Sequence, residues 1–337
     1  VVSQEHQDPP RPAERPVDAS AGKPGATPFR ILALSGGGFL GLYTAALLAA
    51  LETRSGEPIG RRFDLIAGTS VGAILAAAVA LEVPLREIVE LFQQHGAEVF
   101  SPRAMPSGAL GRLLDLTRSV LGPKYSGQVL REALTARLGK RTLAEVRHPV
   151  LLPAVNISRS QTKVFKSPHV AASKGDEATL IVDAAMASCA APAYFPAVRI
   201  DADLYADGGL FAVAPDQVAL HEALHFMAID EARVRMLSIG TATAGYQPSQ
   251  APAEDAGAVG WLSDGRLIMT MVSVQQQHVQ AMMEDRLGDR YLRLDARWPS
   301  QAGLGIDVAT PEAAQLLVAM AEQTLRETDS ALLRSFV

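Results

Sequence analysis

From residue 29 onward the chain alternates short apolar runs with longer stretches of helix formers, and glycine marks the first junctions. Phe29 to Ser35 is a buried-strand pattern that ends in Gly36-Gly37-Gly38. Leu42 to Leu51 (LYTAALLAAL) then reads as a helix of strong formers, broken by Gly56, Pro58 and Gly60. The unit repeats at once: Phe63 to Ala67 as strand, Gly68 to Gly72 as turn, Ala73 to Leu81 as helix. Pro84 opens another helix over Leu85 to His95, with Leu85, Ile88, Val89 and Phe92 on one face. Strands without polar alternation, each followed by a helix, predict an α/β fold with a mainly parallel sheet covered by helices.

Beyond residue 100 the pattern is less regular. Leu110 to Leu121 is a short amphipathic stretch that suits either core packing or a lid-like, membrane-facing cap. Ser126 to Leu138 is a helix with Leu130, Leu134 and Leu138 in register. Val150 to Ile157 is a strand, with Thr162 to Phe165 beside it. Leu180 to Ala190 is a small-residue helix, Tyr205 to Gly209 a turn, Pro215 to Phe226 a helix and Val234 to Ile239 a strand. Residues 241–260 read as a loop, Arg266 to Arg286 as a helix rich in Met and Gln, Tyr291 to Leu294 as a last strand, and Pro311 to Val337 as a terminal helix. Residues 1–28 hold six prolines and no apolar periodicity, so a disordered leader is expected there. No repeat of solenoid period is present, and residues 29–337 are expected to form one domain.

Composition narrows the function. Of 337 residues, 48% are hydrophobic and 20% charged, enough to bury a sizeable core. A net charge of −5 argues against a nucleic-acid partner held by a basic surface. The single cysteine, Cys189, excludes an intrachain disulfide; within Ala-Ser-Cys-Ala-Ala it reads as a small buried core residue. No run approaches the ~18–20 apolar residues of a membrane span, and no signal-peptide pattern stands at the N-terminus, so a cytoplasmic location is expected.

Three glycine-framed motifs carry the candidate chemistry. Gly68-Thr69-Ser70-Val71-Gly72 places a serine on a sharp strand-to-helix turn, where bulky flanking side chains would collide. A serine hydroxyl needs such placement beside a base to act as nucleophile, and the helix N-terminus favours developing negative charge. Gly36-Gly37-Gly38-Phe39-Leu40-Gly41 leaves backbone N–H groups unshielded, which suits an oxyanion hole built on Gly36, Gly37, Gly38 and Gly41, with the N–H groups of Gly37 and Gly38 expected to hold the oxyanion. The rival is a dinucleotide fingerprint, G-x-G-x-x-G on Gly36, Gly38 and Gly41. Against it, Glu52 and Glu57 lie in a helix end and a loop rather than at the end of a second strand, and no P-loop lysine is present. Asp207-Gly208-Gly209 follows a short apolar run and presents a carboxylate on a turn. A partly desolvated carboxylate has raised basicity and can take the serine proton directly. The seven histidines, His6, His95, His148, His169, His221, His225 and His278, lie outside glycine-framed or strand-end loops. A Ser-His-Asp esterase and a non-catalytic module holding nucleotide phosphate on the glycine loop both remain open.

These motifs, with Ala187-Ser188-Cys189-Ala190-Ala191-Pro192-Ala193-Tyr194-Phe195-Pro196 ahead of the acid, resemble the patatin-like phospholipase family. The resemblance implies a three-layer α/β/α fold and hydrolysis of lipid acyl esters by a serine–aspartate dyad, Ser70 as nucleophile and Asp207 as base, with no cofactor required for the chemistry. One departure is Leu40, where many members carry Arg. The run Ile31 to Ser35 leading into Gly36 to Ala45 also looks like the bacterial patatin-like effectors of anti-phage systems. That likeness implies activation by a cyclic dinucleotide and a membrane phospholipid substrate met at the inner face of the membrane. Homo-oligomer formation is left open.

Overall fold

The computed structural model describes residues 27–101, 122–173, 175–248, 261, 265–299 and 303–337. The expected leader up to residue 26 and the stretch from Leu110 to Leu121 lie outside the described residues, as does most of the 241–260 loop.

An eight-stranded sheet organises the chain. Its strands are β1 (Phe29–Leu34), β2 (Leu65–Gly68), β3 (Val150–Asn156), β4 (Gln161–Lys166), β5 (Val198–Ile200), β6 (Asp203–Asp207), β7 (Val234–Ile239) and β8 (Tyr291–Leu294). The order β3-β2-β1-β7-β8 is parallel throughout, as the strand–helix repeat requires. To this core β4, β5 and β6 add antiparallel pairings.

Strand alternation sends successive side chains to opposite cores. In β1, Leu32 and Leu34 join one buried cluster while Phe29, Ile31 and Ala33 join the other. On the first face pack α1 (Gly41–Ser55), α2 (Val71–Ala80), α3 (Leu85–Val99), α4 (Gln128–Leu138) and α5 (Ile181–Ser188). On the second lies α6 (Asp216–His221), which runs on as a π-helical turn over Glu222–Phe226. The long helix α7 (Arg266–Leu287) supplies Met283 and Leu287 to that second cluster and Met269 to the first. Helices on both faces make the three layers. The terminal stretch is two helices, α8 (Pro311–Glu327) and α9 (Ser330–Arg334). The break falls at Asp329, whose carboxylate accepts the Ala331 and Leu332 N–H groups and so restarts the chain as a new helix.

Among the described residues no helix is long and apolar enough to cross a membrane.

One detail of register positions the site. β4 pairs β3 from Leu151 to Asn156, so β2 and β6 divide the opposite edge. β2 runs parallel to β3 and is last paired at Leu151; β6 runs antiparallel and ends with Asp207 opposite Ala154. The C-terminal ends of β2 and β6 therefore point at one another across Leu152 and Pro153. Proline, which has no N–H to donate, sits at this changeover of ladder partners.

Candidate active site

Each motif is placed by the element before it. Ser70 follows β2 and caps α2 with φ 55° and ψ −126°, a strained conformation for a non-glycine residue. The turn is held from all sides. Thr69 N–H donates to Leu34 O (3.1 Å), Gly72 N–H to Thr69 O (2.8 Å) and Ala73 N–H to Ser70 O (2.8 Å). Glycine is demanded by clearance: a Cβ on Gly68 would stand 2.0 Å from Gly72 O, and one on Gly72 2.2 Å from Leu34 O. Ser188, the last residue of α5, accepts the Ser70 N–H (2.9 Å) and donates its hydroxyl to Pro153 O (2.6 Å). It thus fills the gap between the two strand ends.

Asp207 closes β6 and is followed by a short 3-10 turn over Gly208–Leu210. Gly208 packs against β3, where a Cβ would meet Pro153 O at 2.2 Å, and the Gly209 N–H donates to Asp207 Oδ1 (2.6 Å). The other carboxylate oxygen, Oδ2, accepts the Ser70 hydroxyl at 2.7 Å across 137 positions of sequence. Asp207 is 6% exposed, and burial raises its pKa to about 6; the bonds from Ser70 and Gly209 pull the other way. The result is a carboxylate ionised at neutral pH yet more basic than an exposed one. Cys189 is buried, as expected of it, and burial also pushes its thiol well up. Its neighbours are more than core, however: it lines the clefts at Ser70.

The four loop glycines divide into two kinds. The Gly36 N–H donates to Val213 O (2.9 Å), and the Gly41 N–H is taken up by Gly38 O and Phe39 O, so neither is free for an oxyanion. Their role is clearance: a Cβ on Gly36 would touch Ser70 Cβ at 3.0 Å, and one on Gly41 would strike the Val71 side chain at 2.4 Å. The Gly37 and Gly38 N–H groups, by contrast, bond to no other group among the described residues. Gly38 also needs its φ of +59°, which brings the loop against the Ile306 carbonyl.

Behind the loop lies a buried polar network that the sequence patterns did not point to. Leu40, standing where many members have Arg, is fully buried. A guanidinium lies behind the loop on β8: Arg293 donates to Ser238 Oγ (2.8 Å), Asp295 Oδ2 (3.1 Å), Gln276 Oε1 and, at 3.4 Å, Ser35 Oγ. Gln276 Nε2 and Thr241 Oγ1 reach the Gly36 carbonyl at 3.4 and 3.3 Å. The visible signal was an arginine inside Tyr-Leu-Arg-Leu, an otherwise apolar strand.

Two largely apolar clefts open at Ser70. One runs between Ile74, Leu91, Phe92, Val99, Phe100 and Leu130; the other passes Tyr194, Leu210, Val213, Ile268, Met271 and Ile306. Ser70, Gly38, Cys189 and Phe195 are common to both. Neither has a histidine in its described lining. His148 bonds to Glu82, His169 to Glu222 and His95 to Glu98, while His221 and His225 stack on each other.

The family model "Patatin-like phospholipase" matches residues 32–220, which span the glycine loop, Ser70 and Asp207. The chain belongs to this family. It is similar to a "cGAMP-activated phospholipase" of Pseudomonas aeruginosa, 38% identical over 91% of this chain and 86% of the relative. A protein of the same description from Vibrio cholerae is 34% identical over 85% of this chain and 87% of its own length. A "cUMP-AMP-activated phospholipase" of Escherichia coli is 31% identical over 66% of this chain and 67% of the relative. The patatin-like, α/β reading of the sequence and the enzyme class it implied therefore stand.

Proposed function

We propose that this patatin-like phospholipase cleaves an acyl ester of a membrane phospholipid through a covalent Ser70 intermediate, with Asp207 as its base and a cyclic dinucleotide as its activator. The observation that carries the chemistry is the 2.7 Å bond from the Ser70 hydroxyl to the buried Asp207 carboxylate. Asp207 removes the proton as Ser70 Oγ attacks the ester carbonyl. The N–H groups of Gly37 and Gly38 stabilise the oxyanion; losing one such donor typically costs roughly 10²–10³ in turnover. Collapse breaks the ester C–O bond, and the departing alkoxide takes the proton held by Asp207. Water, giving its proton to Asp207, then attacks the acyl-enzyme; the fatty acid leaves and the proton returns to Ser70. The two apolar clefts suit acyl chains.

The relatives described as activated by cGAMP and by cUMP-AMP support control by a cyclic dinucleotide, and with it a role in anti-phage defence at the inner face of the membrane. Fatty-acid release from phosphatidylethanolamine–phosphatidylglycerol vesicles, with and without a panel of cyclic dinucleotides, tests both parts. Wild type should release fatty acid when one member of the panel is present, and Ser70→Ala with none. Equal release with and without every nucleotide would remove the activation. Release by Ser70→Ala would remove the mechanism.

A further inference from the structure

The helix α7 sets two consecutive glutamines against the two loops that must meet at Ser70. Met271 and Val272, one turn earlier on the same helix, line a catalytic cleft. Gln275 reaches the acid turn: its Oε1 accepts the Val213 N–H (3.1 Å) and its Nε2 donates to Gly209 O (3.0 Å). Gln276, 3% exposed, reaches the glycine loop: its Nε2 donates to Gly36 O (3.4 Å) while its Oε1 accepts from Arg293. Each amide is fixed end for end, since a backbone N–H or a guanidinium can only donate and a backbone carbonyl can only accept. Neither glutamine lines a cleft at Ser70, so both act through backbone.

The two grips meet at Gly36. Its N–H donates to the carbonyl of Val213 (2.9 Å), the residue Gln275 holds, and its own carbonyl accepts from Gln276 and from Thr241 Oγ1 (3.3 Å). A trans peptide is planar, with its C=O and N–H on opposite sides. Bonds that draw Gly36 O toward Thr241 and α7 therefore turn the Gly37 N–H, on the same peptide unit, the other way, and Gly37 lines the cleft at Ser70. Donors on a peptide carbonyl also polarise the unit and strengthen its N–H as a donor. Thr241 packs directly behind this unit, its Oγ1 2.5 Å from where a Gly37 Cβ would stand. The next unit has its own brace: Gly37 O accepts the Leu40 N–H (3.2 Å), which orients the Gly38 N–H. At the acid turn, Gly209, whose carbonyl Gln275 holds, gives its N–H to Asp207 Oδ1 (2.6 Å).

We propose that Gln275 and Gln276 are positioning residues with separate tasks: Gln276, with Thr241, aims the Gly37 N–H at the oxyanion, and Gln275 holds the acid turn so that the Gly209 N–H stays on Asp207. The proposal rests on the Ser70–Asp207 mechanism proposed above. The two tasks leave different kinetic marks. An oxyanion donor acts on the transition state, so misaiming it lowers kcat and leaves KM and the pH profile in place. The Gly209 N–H favours the charged form of Asp207, so loosening it raises the ionisation expected near pH 6.

Hydrolysis of p-nitrophenyl butyrate by the full chain, followed between pH 5 and pH 8, separates the outcomes. It is run with cGAMP, with cUMP-AMP and with neither, the condition that gives wild type its highest rate being used throughout; circular dichroism gives the folded fraction of every variant. Gln276→Met should lower kcat about ten-fold or more, with KM within a few-fold of wild type and the pH midpoint unchanged. Thr241→Val, which keeps the packing behind Gly37, should show the same signature at smaller size, and it keeps the test decisive where Gln276→Met fails to fold. Gln275→Met should raise the pH midpoint by about half a unit or more. Gln277→Met, on the exposed side of the same turn, should change none of the three. Wild-type kcat in folded Gln276→Met and Thr241→Val would overturn the aiming of Gly37, and an unmoved midpoint in Gln275→Met the holding of the acid turn. Equal losses of kcat with one shared pH profile in the Gln275 and Gln276 variants would make α7 a structural support only and overturn the division of tasks. Undiminished hydrolysis by Ser70→Ala would instead remove the mechanism beneath the proposal.

Discussion

The two turns that meet at the site are built on opposite plans. The Ser70 turn is mostly local: β2, turn and α2 are consecutive, and most of the bonds that fix it lie within Leu34 to Ala73, with Ser188 adding one to the Ser70 N–H. The Asp207 turn is delivered from far along the chain by antiparallel pairing of β6 with β3. Backbone clearance dictates the first turn, and the second depends on register. The strain is unequal too. Ser70 stores its cost in φ and ψ, typically ~1–3 kcal/mol for such a residue. Asp207 stores its cost in desolvation, seen as a pKa of about 6.

The largest expected effect comes from removing either partner of the 2.7 Å bond. Ser70→Ala should lower lipid hydrolysis by about 10⁴-fold or more, and Asp207→Asn by about 10³-fold or more, measured as fatty-acid release at saturating activator. A histidine variant with a comparable loss would break the pairing of the two turns as one catalytic unit.

Glycine substitution compares the turns as structures. Gly72→Ala puts a Cβ 2.2 Å from Leu34 O, and Gly208→Ala puts one 2.2 Å from Pro153 O. Both should destabilise by about 3 kcal/mol or more, read as a fall in chemical-denaturation midpoint. The Gly72 variant loses the strand–turn–helix itself. The Gly208 variant should keep that turn and lose the reach of Asp207, so it should fall further in activity than its residual stability explains.

Asp207→Asn should also stabilise the fold, and by more at high pH. A carboxylate whose folded pKa is raised gives its full stability below the unfolded value and loses it as pH rises through the folded value, here from about 4 to about 6. Above that window the wild type carries a penalty of order 3 kcal/mol that the amide lacks. The melting temperature of Asp207→Asn should therefore exceed that of wild type at pH 8 and converge on it at pH 4. An equal difference at both would mean that burial does not set the acid's basicity.

Ser188→Ala has the smallest effect. It leaves the buried Ser70 N–H and Pro153 O without their shared partner, a loss of about 1–3 kcal/mol, and loosens the contact between the strand ends. Turnover should fall about ten-fold with KM little changed.

The difference between the turns also explains what was legible in the sequence. The strand–turn–helix at Ser70 and the glycine loop were readable because apolar run, glycine and helix formers follow one another without interruption. The acid's residue was readable but its setting was not: Tyr205 to Gly209 reads as a turn, whereas β6 is a strand that begins at Asp203 and pairs with both β3 and β5. A five-residue strand with Asp at each end carries almost no alternation to detect. Ser188 and Gln276 act through bonds to groups distant in sequence, Ser188 to Ser70 N–H and Pro153 O and Gln276 to the Gly36 carbonyl and Arg293, which no periodicity records. The glycine loop was legible, with Gly37 and Gly38 as its expected donors, but the clearance role of Gly36 and Gly41 was not, since it depends on partners at Val213 and within the loop that occupy their N–H groups.

The most direct measurement is the rate at which a fluorophosphonate labels Ser70 as a function of pH, in wild type and in Asp207→Asn. The account predicts labelling at Ser70 that rises through a single ionisation near pH 6; in the asparagine variant that rise is absent, and the rate is about 10³-fold lower above the ionisation, the gap narrowing as pH falls below it. Wild-type labelling rates in Asp207→Asn, or a label on another residue, would contradict it.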